Sequence, residues 1–372
     1  MAEKLQSRWG DIRSYTDIPM LLITLVLFGL GISAIYSAGM SMQHGNAVSP
    51  FASRQLLWGG LSAVVYAAIL KLSYRSFIKY VVPLFAATVA MFVVLLVVGY
   101  TSKGAQSWFN LGFLRVQPSE LGKIVFALAL AELCSRIPPT DIHGIGIAVL
   151  ASGIFIVLIL LQPDLGSALV YSVMLFAVLL AAGAPAKFLF GMTGCGLAML
   201  PIGWLILKPY QRLRLMVFID PMVDPQGAGY NVIQSRIAVG SGGLWGKGFL
   251  QGTQGKLHFL PEPHTDFIFS VFAEEFGFIG SMFVIALFAL LLWKIITTAL
   301  YAKDPKAKLM CVAIAAWLWF QVTESVAMSM GLAPVTGLPL PLFSYGGSSL
   351  LAVAAALALV QSVVIVEKEN RF

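Results

Sequence analysis

Residues 19–38 read PMLLITLVLFGLGISAIYSA, twenty positions without a charged side chain. At about 1.5 Å per residue, such a helix spans the roughly 30 Å hydrocarbon core of a bilayer. Lys4, Arg8 and Arg13 precede it. The run is longer than the about 7–15 apolar residues of a secretory leader, so it reads as a retained first span. Nine further runs repeat the pattern, near 55–71, 77–99, 119–135, 143–161, 164–183, 187–206, 267–294, 308–330 and 345–366. The fold class expected is all-α: a polytopic membrane helix bundle of about ten transmembrane helices, one membrane domain over residues 1–372.

Composition agrees. Of 372 residues, 59% are hydrophobic and 11% charged, against about 25% charged in a soluble domain. Soluble globular, disordered and disulfide-scaffold classes are excluded. The net charge of +7 is explained by Lys and Arg retained on the cytoplasmic side, not by nucleic acid. Cys134, Cys195 and Cys311 lie far apart and read as buried small hydrophobes. His44, His143, His258 and His264 are scattered, so no histidine metal site is expected.

Ten spans place both termini on one side. That side carries fourteen Lys and Arg in its connections, among them Arg75, Lys79, Arg136 and Lys306; the other side has three in short connections, Arg54, Lys103 and Arg115. Both termini are therefore expected in the cytoplasm. The one large loop, residues 208–266, falls between the seventh and eighth spans and is extracytoplasmic. Seven glycines crowd its residues 240–255, which read as a flexible loop or, with Lys247, as a weak phosphate cradle. Its apolar content argues against disorder, and residues 229–239 are expected to form a short surface helix.

Ionisable groups within lipid are costly and mark function or a structural pair. Glu120 and Lys123, three apart, share a helical face; they face a polar cavity or lock two helices. Asp266 ends the segment LPEPHTD (260–266), just before an apolar run, and is either a general base or a helix N-cap. Glu274 and Glu275 enter the same span. Asp164 follows Pro163 and is expected to cap the sixth span. Arg212 and Arg214 are candidates to hold a diphosphate, or anionic headgroups. The segment 331–349 contains Pro334, Pro339 and Pro341, too broken for a helix and too apolar for a plain connector. It reads as a re-entrant floor to a site.

Taken in order, SKGAQSW (102–108), RVQPSELGK (115–123), QPDLG (162–166), YQRLR (210–214), GSGGLWGKG (240–248), LPEPHTDFIF (260–269) and PLPLFSYGG (339–347) resemble the SEDS family over nearly the whole chain, and its elongation rather than division branch. The resemblance implies a peptidoglycan glycosyltransferase in the bacterial inner membrane. Such an enzyme polymerises lipid II into glycan on the outer face, beside a class B penicillin-binding protein and other elongation-complex membrane proteins. It implies Asp266 as the essential aspartate, Glu120 and Lys123 as a buried pair beside the site, and Arg212 and Arg214 as basic residues of the outer loop. The mechanism expected takes Asp266 as catalytic base and Glu120, Lys123, Arg212, Arg214 and Lys247 as substrate-binding, the leaving charge being held by the arginines or by a divalent cation (Mg or Mn), with no organic cofactor. The chain departs from the family at Ser325–Met328, where an Asn-Ile-Gly-Met pattern is usual. Glu324 adds a carboxylate there, and Pro263 stands where a basic residue is expected. The rival readings are a lipid II flippase and a non-catalytic scaffold for the transpeptidase.

Overall fold

The computed structural model describes residues 12, 14–40, 49–102, 105–110, 115–256, 259–260 and 262–370. Lys4, Arg8, Arg13, His44, Lys103 and His258 lie outside the described residues. Every apolar run of the sequence is a helix. The elements are α1 (Ile18–Met40), α2 (Pro50–Leu72), the short α3 (Tyr74–Lys79), α4 (Val81–Val98), α5 (Pro118–Arg136), α6 (Ile142–Leu161), α7 (Leu165–Ala181) and α8 (Ala186–Ile206). Then come α9 (Pro209–Ile219), α10 (Ala228–Ser241), α11 (Thr253–Lys256), α12 (Ile268–Tyr301), α13 (Pro305–Met330) and α14 (Gly347–Glu369).

Among the described residues, eight helices are long and apolar enough to cross a membrane. The remaining two of the expected ten are α7, which is shorter, and α5, which carries Glu120, Lys123, Glu132 and Arg136. The chain is thus a multi-pass membrane protein. Helix α14 and much of α13 are buried at the centre of the bundle, whereas α8 lies at its edge with Phe190, Leu197 and Leu205 exposed. Such exposed apolar faces are stable in lipid. Cys195, expected to be buried, is exposed on α8, while Cys134 and Cys311 are buried.

Local chemistry sets the boundaries. Asp164 caps α7 as expected, its carboxylate accepting the Ser167 amide at 3.0 Å. Asp141 does the same for α6 through Gly144, at 2.9 Å. Gly331, in the left-handed region, ends α13. The stretch between α4 and α5 departs from the all-helical expectation. Three strands, β1 (Tyr100–Ser102), β2 (Ala105–Asn110) and β3 (Arg115–Val116), form a small antiparallel sheet, with Phe109 opposite Val116. Trp108, Phe109 and Val116 are strand-favouring, and the segment is too short to cross lipid.

Glycines order the 242–248 part of the long loop. Helix α12 is interrupted at Gly277 (φ 67°, ψ −164°), a conformation accessible to glycine. The backbone groups around this break are satisfied by the glycine-rich stretch: Lys247 and Gly248 amides donate to the Glu274 and Glu275 carbonyls (both 3.0 Å), and the Phe278 amide donates to Gly243 (2.8 Å). A broken helix at membrane depth persists only when its polar backbone is paired in this way. The stretch is therefore a packed strap, not the flexible loop its composition suggests.

Candidate functional site

The segment 331–346 and the end of the 208–266 loop meet over the ends of α13 and α12. Leu338, Leu340, Leu342 and Phe343 are buried, so the proline-rich segment is a floor inside the bundle, as its composition indicates. The Ser344 hydroxyl donates to the Thr265 carbonyl (2.8 Å) and the Tyr345 amide to the His264 carbonyl (2.9 Å). The His264 ring stacks on Phe51 with centroids 4.0 Å apart. Gln55 of α2 donates to the Ser344 carbonyl at 3.1 Å. These bonds fix the backbone that presents Asp266.

Asp266 is half-buried and lines a cavity of about 260 Å³ with Arg214, Asn231, Glu262 and Val335. The N-cap position of α12 is Phe267, which makes no side-chain cap hydrogen bond, and Asp266 stands one residue before it. Gly337 (φ 81°) passes behind it; a β-carbon there would lie 3.9 Å from the Asp266 Oδ2 atom. Arg214, on α9, donates to the Val335 carbonyl (3.3 Å) and lies 5.8 Å from the Tyr210 ring centroid. The cavity thus juxtaposes a carboxylate and a guanidinium. Burial raises the Tyr210 hydroxyl pKa, so Tyr210 presents a neutral ring to Arg214 near neutrality.

The expected arginine pair does not form. Residues two apart on a helix point about 200° from each other. Arg212 faces away, donating to the Leu205 carbonyl at the end of α8 (2.7 Å). A two-arginine clamp on one diphosphate is replaced by Arg214 alone at the cavity.

Glu120 and Lys123 stand apart from the cavity. The Lys123 ammonium is 2.6 Å from Glu120 and 3.2 Å from the Gln321 side-chain oxygen, and sits 5.2 Å from the Trp317 ring centroid. Both side chains are at most 2% exposed, as the buried pair that the resemblance implies requires, and the expected substrate-binding role does not fit this geometry. The pair locks α5 to α13. It reaches the site indirectly, because the Gln321 amide donates to the Pro339 carbonyl at 2.7 Å.

Lys247 is likewise committed elsewhere. It bonds Glu274 (2.6 Å) and Thr253 (2.8 Å), and Glu274 also accepts the Thr253 amide (2.8 Å). This network holds the glycine-rich strap to α12, so the phosphate-cradle reading is set aside. Glu275 accepts the Ser37 hydroxyl, tying α12 to α1.

The sequence reading gave Asn231 and Glu262 no role and left that of Glu324 open. Glu324 is 7% exposed and accepts the hydroxyl of Thr336, the neighbour of Gly337, which passes behind Asp266. Its place in a span was the signal available; Thr336, twelve residues on, carried none.

The family model FtsW/RodA/SpoVE, described as cell cycle protein, matches residues 18–369. The peptidoglycan glycosyltransferase MrdB of Escherichia coli K12 is 37% identical over 359 residues, covering 95% of this chain and 94% of its own. A solved structure concerning coordination of polymerization and crosslinking by a peptidoglycan synthase complex superposes with a TM-score of 0.81 at 33% identity, covering 95% of this chain and 98% of that one. The rod shape determining protein RodA of Thermus thermophilus superposes at 0.71 and 31% identity, covering 96% and 98%.

Proposed function

The chain belongs to the FtsW/RodA/SpoVE family, and from that premise we propose how it acts: it is a peptidoglycan glycosyltransferase whose reaction centres on Asp266. The supporting observation is the half-buried Asp266 carboxylate beside Arg214 in one cavity at the outer-loop end of the bundle. The acceptor GlcNAc presents its 4-hydroxyl to Asp266. The carboxylate takes the proton as that oxygen attacks the anomeric carbon of the donor MurNAc; undecaprenyl diphosphate leaves and configuration inverts. Arg214 faces the departing charge. The cavity, about 260 Å³, falls below the about 300–1,000 Å³ of common ligand pockets. It houses the reacting ring while the lipid-anchored remainder lies outside, between helices and bilayer.

Among the described residues no three His, Cys, Asp or Glu side chains gather as a metal site, so a divalent cation would need substrate phosphates to complete its shell. Asp266, Glu262 and Asn231 line one cavity with hard oxygen atoms, and Mg²⁺ is commonly held by one or two carboxylates plus substrate phosphates. Asp266 and Glu262 would hold it, and when bound it would neutralise the leaving diphosphate. In this reading the enzyme sits in the bacterial inner membrane with both termini cytoplasmic and the 208–266 loop outside. Its partners are lipid II, the growing glycan, a class B penicillin-binding protein and other elongation-complex membrane proteins.

The test is glycan formation from purified lipid II in detergent. Asp266→Asn protein that is folded and partner-bound should form no polymer; near-normal polymer removes the general-base assignment. Leaflet transfer in sealed vesicles without any polymer from the wild type supports the flippase instead, and neither activity leaves the scaffold.

A further inference from the structure

A second cavity lies at the other end of the same helices. Its volume is about 340 Å³, and it is lined by Arg75, Lys79, Glu132, Arg136, Asp304 and Lys306. It opens between α3, the C-terminal turn of α5 and the N-terminus of α13, the end opposite Asp266. No step of the reaction above uses it.

Its two carboxylates are already engaged. Glu132 is bracketed by Arg136 and by Lys306 (2.7 Å). Asp304 caps α13 through the Lys306 amide (3.0 Å) and accepts the Tyr74 hydroxyl (3.1 Å). Glu367, a further carboxylate that Arg75 faces, accepts the Lys303 amide at 2.9 Å. Four cations line the cavity against two carboxylates, leaving a positive excess. Arg75 and Lys79 are exposed at its mouth, and the positive end of α13 points into it. Tyr80, 57% exposed beside Lys79, and Leu72, 54% exposed, flank α3 with apolar surface. A cationic recess bordered by lipid-facing side chains suits a group that is anionic at one end and acyl at the other.

We propose that this cleft binds the phosphate of an anionic phospholipid headgroup, with Arg75 and Lys79 as its principal contacts and Arg136 and Lys306 as a wall oriented by Glu132. The occupant ties together α3, α5 and α13. The last two carry the Lys123–Glu120 and Gln321 links to the catalytic floor.

The experiment is native mass spectrometry of the full-length protein titrated with phosphatidylglycerol, with phosphatidylcholine as the zwitterionic control. Wild type should retain phosphatidylglycerol in preference to phosphatidylcholine. Arg75→Gln/Lys79→Gln protein should bind it roughly thirtyfold more weakly, at about a factor of five for each cation near a membrane surface. Lys187→Gln/Lys294→Gln removes the same charge away from the cavity lining and should bind as wild type does. Equal retention of both lipids by the wild type overturns the proposal. So does equal loss in the two double variants, which marks a diffuse surface effect, or full retention by Arg75→Gln/Lys79→Gln. Inorganic phosphate at millimolar concentration distinguishes sources: a lipid site keeps its lipid, whereas displacement by phosphate assigns the cleft to a soluble phosphate and overturns the lipid assignment.

Discussion

Replacing Lys123 by Met should cost far more stability than replacing Lys123 and Glu120 together. Lys123 is wholly buried, with its ammonium 2.6 Å from the Glu120 carboxylate. At an effective dielectric of 20 the attraction at that distance is about 6 kcal/mol, most of it offset by the desolvation of both ions. Deleting one partner forfeits the attraction but leaves the other charge buried, a loss of about 3–5 kcal/mol. That is a large share of the about 5–15 kcal/mol that holds a typical domain together. The Lys123→Met/Glu120→Gln double variant strands no charge. Gln321 stays held in it, because Trp317 donates to its side-chain oxygen at 2.6 Å and its amide still reaches Pro339. The double variant should therefore recover about 2 kcal/mol or more of what the single variant loses, and glycan synthesis should return with the fold. Sodium dodecyl sulfate titration followed by tryptophan fluorescence reads the stability; the lipid II assay reads the activity. A double variant as unstable as the single one refutes the ion-pair argument. One that is stable but makes no polymer assigns the pair to chemistry and refutes the structural role.

Arg214→Gln should lower polymerisation by about 2 kcal/mol of transition-state stabilisation, roughly thirtyfold in kcat/KM, whereas Arg212→Gln should leave it within about threefold; equal effects would restore the two-arginine clamp. Gly337→Ala should destabilise by about 1–2 kcal/mol through its left-handed backbone alone, since the added β-carbon makes only ordinary contact with Asp266; an unchanged unfolding midpoint would contradict the φ of 81°. Glu324→Gln keeps an acceptor for Thr336 and should fold and turn over near the wild-type level, while Glu324→Ala strands the Thr336 hydroxyl, costs about 1–3 kcal/mol and lowers kcat; equal losses in both would place the carboxylate charge, not the bond, in the mechanism.

What the sequence makes legible follows from the solvent. Lipid tolerates apolar surface all round, so spans are written as apolar runs; all ten runs are helices, and eight of them among the described residues are long and apolar enough to cross a membrane. Breaks in those runs are written as proline, glycine and capping aspartate, which is why Asp164 and the 331–346 floor are readable too. Facing is not legible, because a bundle in lipid carries little amphipathic signal to orient a helix. Arg212 and Arg214 look alike in the string and separate only once α9 is wound. Lys123 and Lys247 are both cations near acids, and only packing reveals that each is consumed by its own glutamate. The strap formed by residues 242–248 escapes a composition reading, since glycines chosen for close backbone approach resemble glycines chosen for flexibility.

The non-helical floor explains why polar residues gather where they do. A segment that leaves the helical ladder inside a membrane bundle must find partners for its backbone groups. Arg214 takes the Val335 carbonyl, Gln321 takes Pro339, and Gln55 takes Ser344. The same segment returns support to the loop that carries Asp266 through Ser344 and Tyr345, and Thr336 occupies Glu324. The side chains that satisfy the broken backbone are therefore those that position Asp266 and supply its neighbouring charge. Satisfying the floor and building the site are one physical requirement. A substitution that frees a floor carbonyl, even one remote from Asp266, must displace the carboxylate or the arginine as the backbone seeks another partner.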